Sequence, residues 1–270
     1  MTDDGGPLPE LSPPPVQGVL FDIDDTLVDT ATAFGAGLAE AFSTVVELTP
    51  EQHGEVVQIW RADAGGHFRR YVAGEVDIVT QRRARVLEIT RRLGLADLDD
   101  AGFASWDDAY HAAFAASWTL FDDAHACVAA TVADGLAVGV VTNAPGEHQR
   151  AKIAAVGLAD LLPALVAVDT LGVGKPDARV FREGCRLIGT DPAATVYIGD
   201  ELDTDALAAV DAGLIGVWLD RPGRRRGGPH EVTEERLEAA RQAGVAVVGS
   251  LAELPVLWRR TCAGSLSTRP

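Results

Sequence analysis

Cysteine is scarce in this chain: three residues in 270, Cys127, Cys185 and Cys262, far apart and without a CxxC pair. That odd number at such spacing supports neither a disulfide framework nor a zinc knuckle, and the thiols read as reduced. The six histidines form no HxxxH or comparable pair, which argues against a histidine metal site. Positive charge is short as well, with 23 Lys plus Arg against 40 Asp plus Glu and a formal net charge of -17. Binding to nucleic acid or to an anionic membrane is therefore not expected, and an anionic small substrate is repelled at long range. No apolar run approaches the roughly 18 residues of a spanning helix. The N-terminus has neither the basic start nor the apolar stretch of a signal peptide, so a cytoplasmic protein is expected.

What is present suits a folded chain. Hydrophobic residues make up 47% and charged residues 23%, close to the average for globular proteins. The length allows one large domain, or one domain carrying a substantial second module. Residues 1–15 are rich in Gly and Pro and have no periodic apolar face, which predicts a mobile tail; residues 261–270 predict another. From Val19 to Ile23 the segment VLFDI is an apolar run that stops at acidic residues, the mark of a buried parallel strand opening into a site. Residues 30–118 show helical spacing and little strand character, with Gly94 and Gly102 placed as helix stops, and predict an all-helical insert.

Helix and strand then alternate. LAVGVVTNA, ALVAVDT, ATVYIGD, LIGVWLD and VAVVGS read as strands separated by helices such as EHQRAKIAAVGL, DARVFREGCRLIG and TDALAAVDAG. Such alternation specifies an α/β fold: a doubly wound, mostly parallel sheet covered on both faces. The lone strand at Val19 needs neighbours in that sheet. The core is thus expected over residues 16–29 plus 119–260, interrupted by the insert.

In an open parallel sheet ligands bind beyond the carboxyl ends of the strands. The expected strand ends are polar here: Asp22-Ile23-Asp24-Asp25-Thr26 after the first, Thr142-Asn143 after the second, and Gly199-Asp200, with Asp203 and Asp205, after the fourth. The loop after the third strand supplies Gly174-Lys175-Pro176. On an extended segment Asp22 and Asp24 face the same side. With Asp200 they form a self-repelling acidic group unless a hard divalent cation lies among them, and Mg2+ is the expected ion. A carboxylate so placed attacks phosphorus to give an acyl phosphate, which assigns the nucleophile to Asp22. Asp24 is placed to protonate the leaving oxygen and then to take a proton from water, for which a raised pKa is expected. Thr142 suits hydrogen bonding to a phosphoryl oxygen, and Lys175 suits neutralising charge on Asp22 and the transferring group.

FDIDDTLVD, VVTNAP, GKPDARVF and YIGDELDTDALAAVDAG resemble, in order, the four motifs of the haloacid dehalogenase superfamily. The resemblance implies Asp22 as nucleophile and metal ligand, Asp24 as general acid and base whose backbone carbonyl also binds metal, and Asp200 as the third protein ligand. It implies Asp205 as a further ligand or a support behind the ligands, with Asp203 beside it. It further implies Thr142 and Lys175, with Asn143 beside them, as binders of the phosphoryl group, and Thr26 as a brace of the nucleophile loop. A helical insert directly after the first motif resembles the C1 caps of that family.

Other conspicuous residues have plainer readings. Arg69, Arg70, Arg82, Arg83, Arg85, Arg91 and Arg92 are expected mainly to coat the insert with charge, and the run from Arg221 to Arg226 to be a solvated loop. Trp60, Trp106 and Trp118 read as packing. The function expected is a magnesium-dependent phosphatase for a small phosphomonoester such as a sugar phosphate, a nucleotide or a phosphoglycolate-like compound. A phosphomutase and a non-catalytic binding module are the alternatives. A dehalogenase is disfavoured because that chemistry has no use for a second carboxylate at Asp24.

Overall fold

The computed structural model describes residues 16–225, 230–255 and 258; the two expected tails and Arg226 lie outside them. Six strands form one parallel sheet: β1 (Gly18–Phe21), β2 (Ala137–Val141), β3 (Ala164–Val166), β4 (Thr195–Gly199), β5 (Ile215–Leu219) and β6 (Ala246–Val248), in the order β3-β2-β1-β4-β5-β6. The order reverses at β1, so the residues after β1, β2 and β4 meet at one switch point, where such sheets bind ligands. The pairing registers Phe21 with Val140 on one side and with Ile198 on the other, which levels these strand ends.

Alternation along β1 fills two cores. Val19 and Phe21 pack with Ala124, Cys127 and Val128 of α6 (Ala124–Ala133) and Ile153 of α7 (Gly146–Ala155), whereas Leu20 packs with Val180, Phe181 and Cys185 of α9 (Ala178–Ile188). Every residue of β1 is buried, as expected of a central strand covered on both faces. α9 comes close because residue 184 is glycine: a Cβ there would lie 2.8 Å from Leu20 and 2.9 Å from Val141.

Between β1 and β2 lie α1 (Thr30–Ser43), α2 (Pro50–Ala62), α3 (His67–Val72), α4 (Ile78–Arg92) and α5 (Asp100–Ala116). They bury a cluster of their own that includes Leu38, Phe42, Trp60, Ile89, Trp106 and Phe114. Trp106, Tyr110 and Phe114 recur at helical spacing on α5 and stack, with ring centroids 5.2 and 5.5 Å apart. Trp118 packs against both this cluster and the sheet core.

Several local expectations are corrected. The helix α3 was not legible, because HFRRYV is a single turn and a half; Asp63 starts it by accepting from Phe68 N at 3.1 Å. Gly102 does not stop a helix. It lies in the first turn of α5, where its N–H donates to the Asp99 cap at 2.8 Å. The strand expected through Thr170 ends at Val166, and Val168–Leu171 is the short helix α8. The helix expected at TDALAAVDAG begins as a π-helix, Leu202–Leu207, before α10 (Ala208–Asp211). Arg82 and Arg85 do not coat the surface. Both are buried, Arg82 paired with Asp107 at 2.7 Å and Arg85 lying 3.7 Å over the Trp60 ring. Among the described residues no helix is long and apolar enough to cross a membrane.

Candidate active site

The loop after β1 is folded back on itself: the Ile23 carbonyl accepts from Leu27 N and Val28 N, each at 2.9 Å. Asp25 sits at its apex with φ 60, a left-handed conformation that aspartate tolerates, and accepts from Ala31 N at 2.7 Å. Asp22 is 4% exposed and anchored by its own N–H, which donates to the Ile198 carbonyl at 2.9 Å. Lys175 Nζ donates to Asp22 Oδ1 at 2.7 Å, and Thr26 Oγ1 reaches Oδ2 at 3.3 Å. Burial pushes the Asp22 carboxyl up to about 7; Lys175 opposes that rise, and Asp205 and Asp24 add to it.

Lys175 is held from several sides. Its ammonium also donates to Asp205 Oδ1 at 2.6 Å and to the Tyr197 hydroxyl at 2.8 Å. Burial lowers its pKa, but the carboxylates of Asp205 and Asp22 outweigh burial and lift it well above the ordinary lysine value. Asn143 grips the same residue by its backbone, accepting from Lys175 N at 2.6 Å and donating to Lys175 O at 3.0 Å. Its amide is therefore spent on the loop, although Asn143 does line the cavity.

Asp24 differs from its neighbour. Its Oδ1 accepts from Thr30 Oγ1 at 2.7 Å and from the Lys152 ammonium, and its Oδ2 accepts from Gln149 Nε2 at 2.6 Å. Burial alone would raise its pKa, but Lys152 outweighs it and brings the group down to about 2. The expectation of a raised value for Asp24 is thus overturned, because Lys152 of α7 and the Thr30 hydroxyl favour the ionised form. Thr142 accepts from Gln149 Nε2 at 2.9 Å.

Oxygens of Asp22, Asp200 and Asp205 lie within 4.8 Å of one another, an all-carboxylate group of the kind a hard divalent cation takes. Asp203 is not among them; it is exposed and pairs with Arg236. A cavity of about 770 Å³ opens over Asp22, Asp24, Thr142, Lys175 and Asp200, its far wall formed in part by Phe34, Phe68 and Arg69 of the helical insert. The loop from Arg221 is not merely solvated. Arg221 makes two hydrogen bonds to Asp123, at 2.7 and 3.0 Å, and donates to the Thr26 carbonyl at 3.0 Å, while Arg224 holds Asp29 at 2.7 and 2.8 Å.

Sequence reasoning missed Lys152, Gln149 and Tyr197. All three lie inside regular elements, where spacing alone gives no sign of a distant partner.

The α/β sheet thus carries carboxylates at its switch point, with a buried lysine between two of them. Residues 16–213 match the family described as haloacid dehalogenase-like hydrolase, and the chain belongs to it. Similar proteins include glyceraldehyde 3-phosphate phosphatase of Methanopyrus kandleri, 26% identical over 213 residues that cover 76% of this chain and 84% of the relative. N-acylneuraminate-9-phosphatase of Mus musculus is 26% identical over 216 residues, 77% of this chain and 84% of the relative. Among solved structures, the HAD-hydrolase YfnB from Bacillus subtilis bound to magnesium shares the fold with a TM-score of 0.70 at 20% identity, covering 91% of this chain and 99% of that one.

Proposed function

We propose that this hydrolase cleaves small phosphomonoesters with a bound magnesium ion, by way of a phosphoryl group carried on Asp22. The observation that carries the reading is one buried carboxylate, Asp22, held by Lys175 at 2.7 Å and facing the same cavity as a second, Asp24. The phosphatase names of the curated relatives support it.

An oxygen of Asp22 attacks phosphorus and the bond to the leaving oxygen breaks; Asp24 delivers the proton which that oxygen needs. Water then attacks the phosphorus, Asp24 takes its proton, the bond to Asp22 breaks, and inorganic phosphate departs. Asp24 as found, ionised against Lys152, suits the second step directly. Delivery of a proton in the first step requires the Lys152 contact to loosen. Lys175 offsets charge on Asp22 and the phosphoryl oxygens, and Thr142 donates to one of those oxygens.

A magnesium ion would be held by Asp22 and Asp200 and, as the family resemblance implies, by the main-chain carbonyl of Asp24, and it would supply the positive charge that keeps Asp22 ionised against its burial. Asp205 serves Lys175 instead: its Oδ1 accepts from Lys175 and Tyr197, and its Oδ2 from Glu201 N at 2.9 Å. Asn143 is a clasp on the Lys175 loop. The insert over residues 30–118 is a cap that selects the alcohol part of the substrate, which the 770 Å³ cavity admits as a sugar phosphate, a nucleotide or a smaller acid.

Phosphate release from p-nitrophenyl phosphate and a panel of metabolite monoesters, with magnesium and with chelator, tests this. Release that needs the metal and disappears in Asp22→Asn is expected. Normal turnover by Asp22→Asn rules out the mechanism.

A further inference from the structure

The two sides of the cavity differ in charge. Its floor, at the strand ends, carries Asp22, Asp24 and Asp200, whereas the wall contributed by the helical insert carries three arginines, Arg61, Arg69 and Arg85, against one carboxylate, Asp63. In a chain of net charge -17 such an excess of cations on one wall runs against the general trend. Two members of that wall serve each other and the fold. Asp63 accepts from Phe68 N at 3.1 Å and lies 3.8 Å from Arg85 Nε, while Arg85 donates to the Trp60 carbonyl and lies over the Trp60 ring.

Arg61 and Arg69 are left over. The carboxylate that Arg61 pairs with, Asp25, is 3.6 Å away, and its Nη2 donates to the Arg224 carbonyl at only 3.3 Å. Among the described residues its buried Nε has no hydrogen-bond partner, although buried donors ordinarily find one. The Arg69 guanidinium, among the described residues, makes neither an ion pair nor a hydrogen bond. Each guanidinium offers five donors in a planar fork that matches the oxygens of a carboxylate or a phosphate. The same cavity is lined by Phe34, Phe68, Val72 and Val173, which offer an anion nothing. Lys175 and Thr142 already serve the phosphoryl group at the floor, so the reaction as described gives these two arginines no work.

We infer that Arg61 and Arg69 form a second anion subsite, and that the preferred substrate is a phosphomonoester whose alcohol part carries a further oxyanion, a carboxylate or a second phosphate. The inference rests on the phosphatase reading and narrows its substrate class. A neutral alcohol part leaves the Arg61 Nε buried without an acceptor and Arg69 facing water. A second oxyanion at the insert wall accepts from both, through charge-assisted hydrogen bonds that are stronger than neutral ones. The two arginines also offset locally the repulsion that the acidic chain exerts on an anion.

The test compares kcat/KM within two matched pairs, 3-phosphoglycerate against glycerol 3-phosphate and fructose 1,6-bisphosphate against fructose 6-phosphate, in wild type, Arg69→Met and Arg61→Met. Wild type is expected to prefer the doubly anionic member of at least one pair by about tenfold or more, mostly through KM, and the pair that shows it identifies the oxyanion. Each substitution is expected to cut that preference by about tenfold. Arg69→Lys, which keeps the charge and loses the fork, should retain part of it. A loss of folded protein moves both members of a pair alike and leaves their ratio untouched; if one variant does not fold, the other and the wild-type ratio decide. A wild-type ratio near one in both pairs, or a preference that survives both substitutions to methionine, overturns the inference while the phosphatase reading stands. Release of phosphate from none of the four esters overturns the phosphatase reading, and this inference with it.

Discussion

Asp22 and Asp24 are separated by one residue, yet burial lifts the first to about 7 while the second, despite its own burial, is drawn down to about 2 by Lys152. The split follows from side-chain neighbours that approach from different elements. A third ionisable group stands in the same wall: His148 lies flat on Phe114, centroids 5.7 Å apart, and edge-on to Trp118 at 5.1 Å. Burial, followed by the charge of Lys152, pushes it down from 6.5 to about 4. Below 6.5 the unfolded chain takes up a proton that the folded chain refuses until about pH 4, so this group removes stability as pH falls through that window. The loss reaches about 3 kcal/mol at the acid end. His148→Phe keeps the stack and lacks the proton, so urea unfolding at pH 7 and pH 4.5 should show a smaller loss in the variant than in wild type. Parallel losses would sink the assignment.

Residues of this kind divide into legible and illegible ones for a physical reason. Asp22, Asp24, Thr142 and Asp200 stand just beyond strand ends, and Lys175 in the Gly-Lys-Pro loop after α8, where polar side chains have no packing explanation. Lys152 and Gln149 sit mid-helix on α7, where a charged residue ordinarily means solvent, and their partner Asp24 is 128 and 125 residues away in sequence. No periodicity announces such a pair.

At the scale of elements, the six strands were legible because each apolar run ends at a break, and the intervening helices implied a mostly parallel sheet, which is parallel at every pairing found. Lengths were less legible: β3 closes at Val166 because Thr170 Oγ1 accepts from Ala167 N at 2.9 Å and starts a short helix. The loop after β5 was misread because the partners of Arg221 and Arg224 lie far away in sequence. Arg221 reaches Asp123 and Thr26, 98 and 195 residues away, and its guanidinium lies 3.9 Å over the Phe121 ring. It therefore ties the turn behind Asp22 to the start of α6. Arg221→Met should cost about 2 kcal/mol, the usual toll for removing charge-assisted hydrogen bonds from a largely buried acid. Ser250 and Leu251 N remain on Asp123, at 2.7 and 2.9 Å, which keeps the cost from being larger. Urea unfolding measures it, and a change under about 0.5 kcal/mol, the range of ordinary surface substitutions, would show the arginine to be incidental.

Over the whole molecule, the hydrophobic clusters on the sheet are distinct from the one within the five helices inserted between β1 and β2, and the stack from Phe34 through Phe114 to His148 runs from the latter toward the sheet. Within a chain of net charge -17, both lysines, Lys152 and Lys175, are buried at the site. The consequence is a matter of chemical reactivity. The folded surface presents arginine but no lysine amine, so an acylating reagent at neutral pH should find the α-amino group of the native protein and leave both side chains unmodified. Mass spectrometry after brief acetylation is expected to show Lys152 and Lys175 intact in buffer and both modified in urea. In this chain an acylated lysine is a chemical record that the active site has come apart.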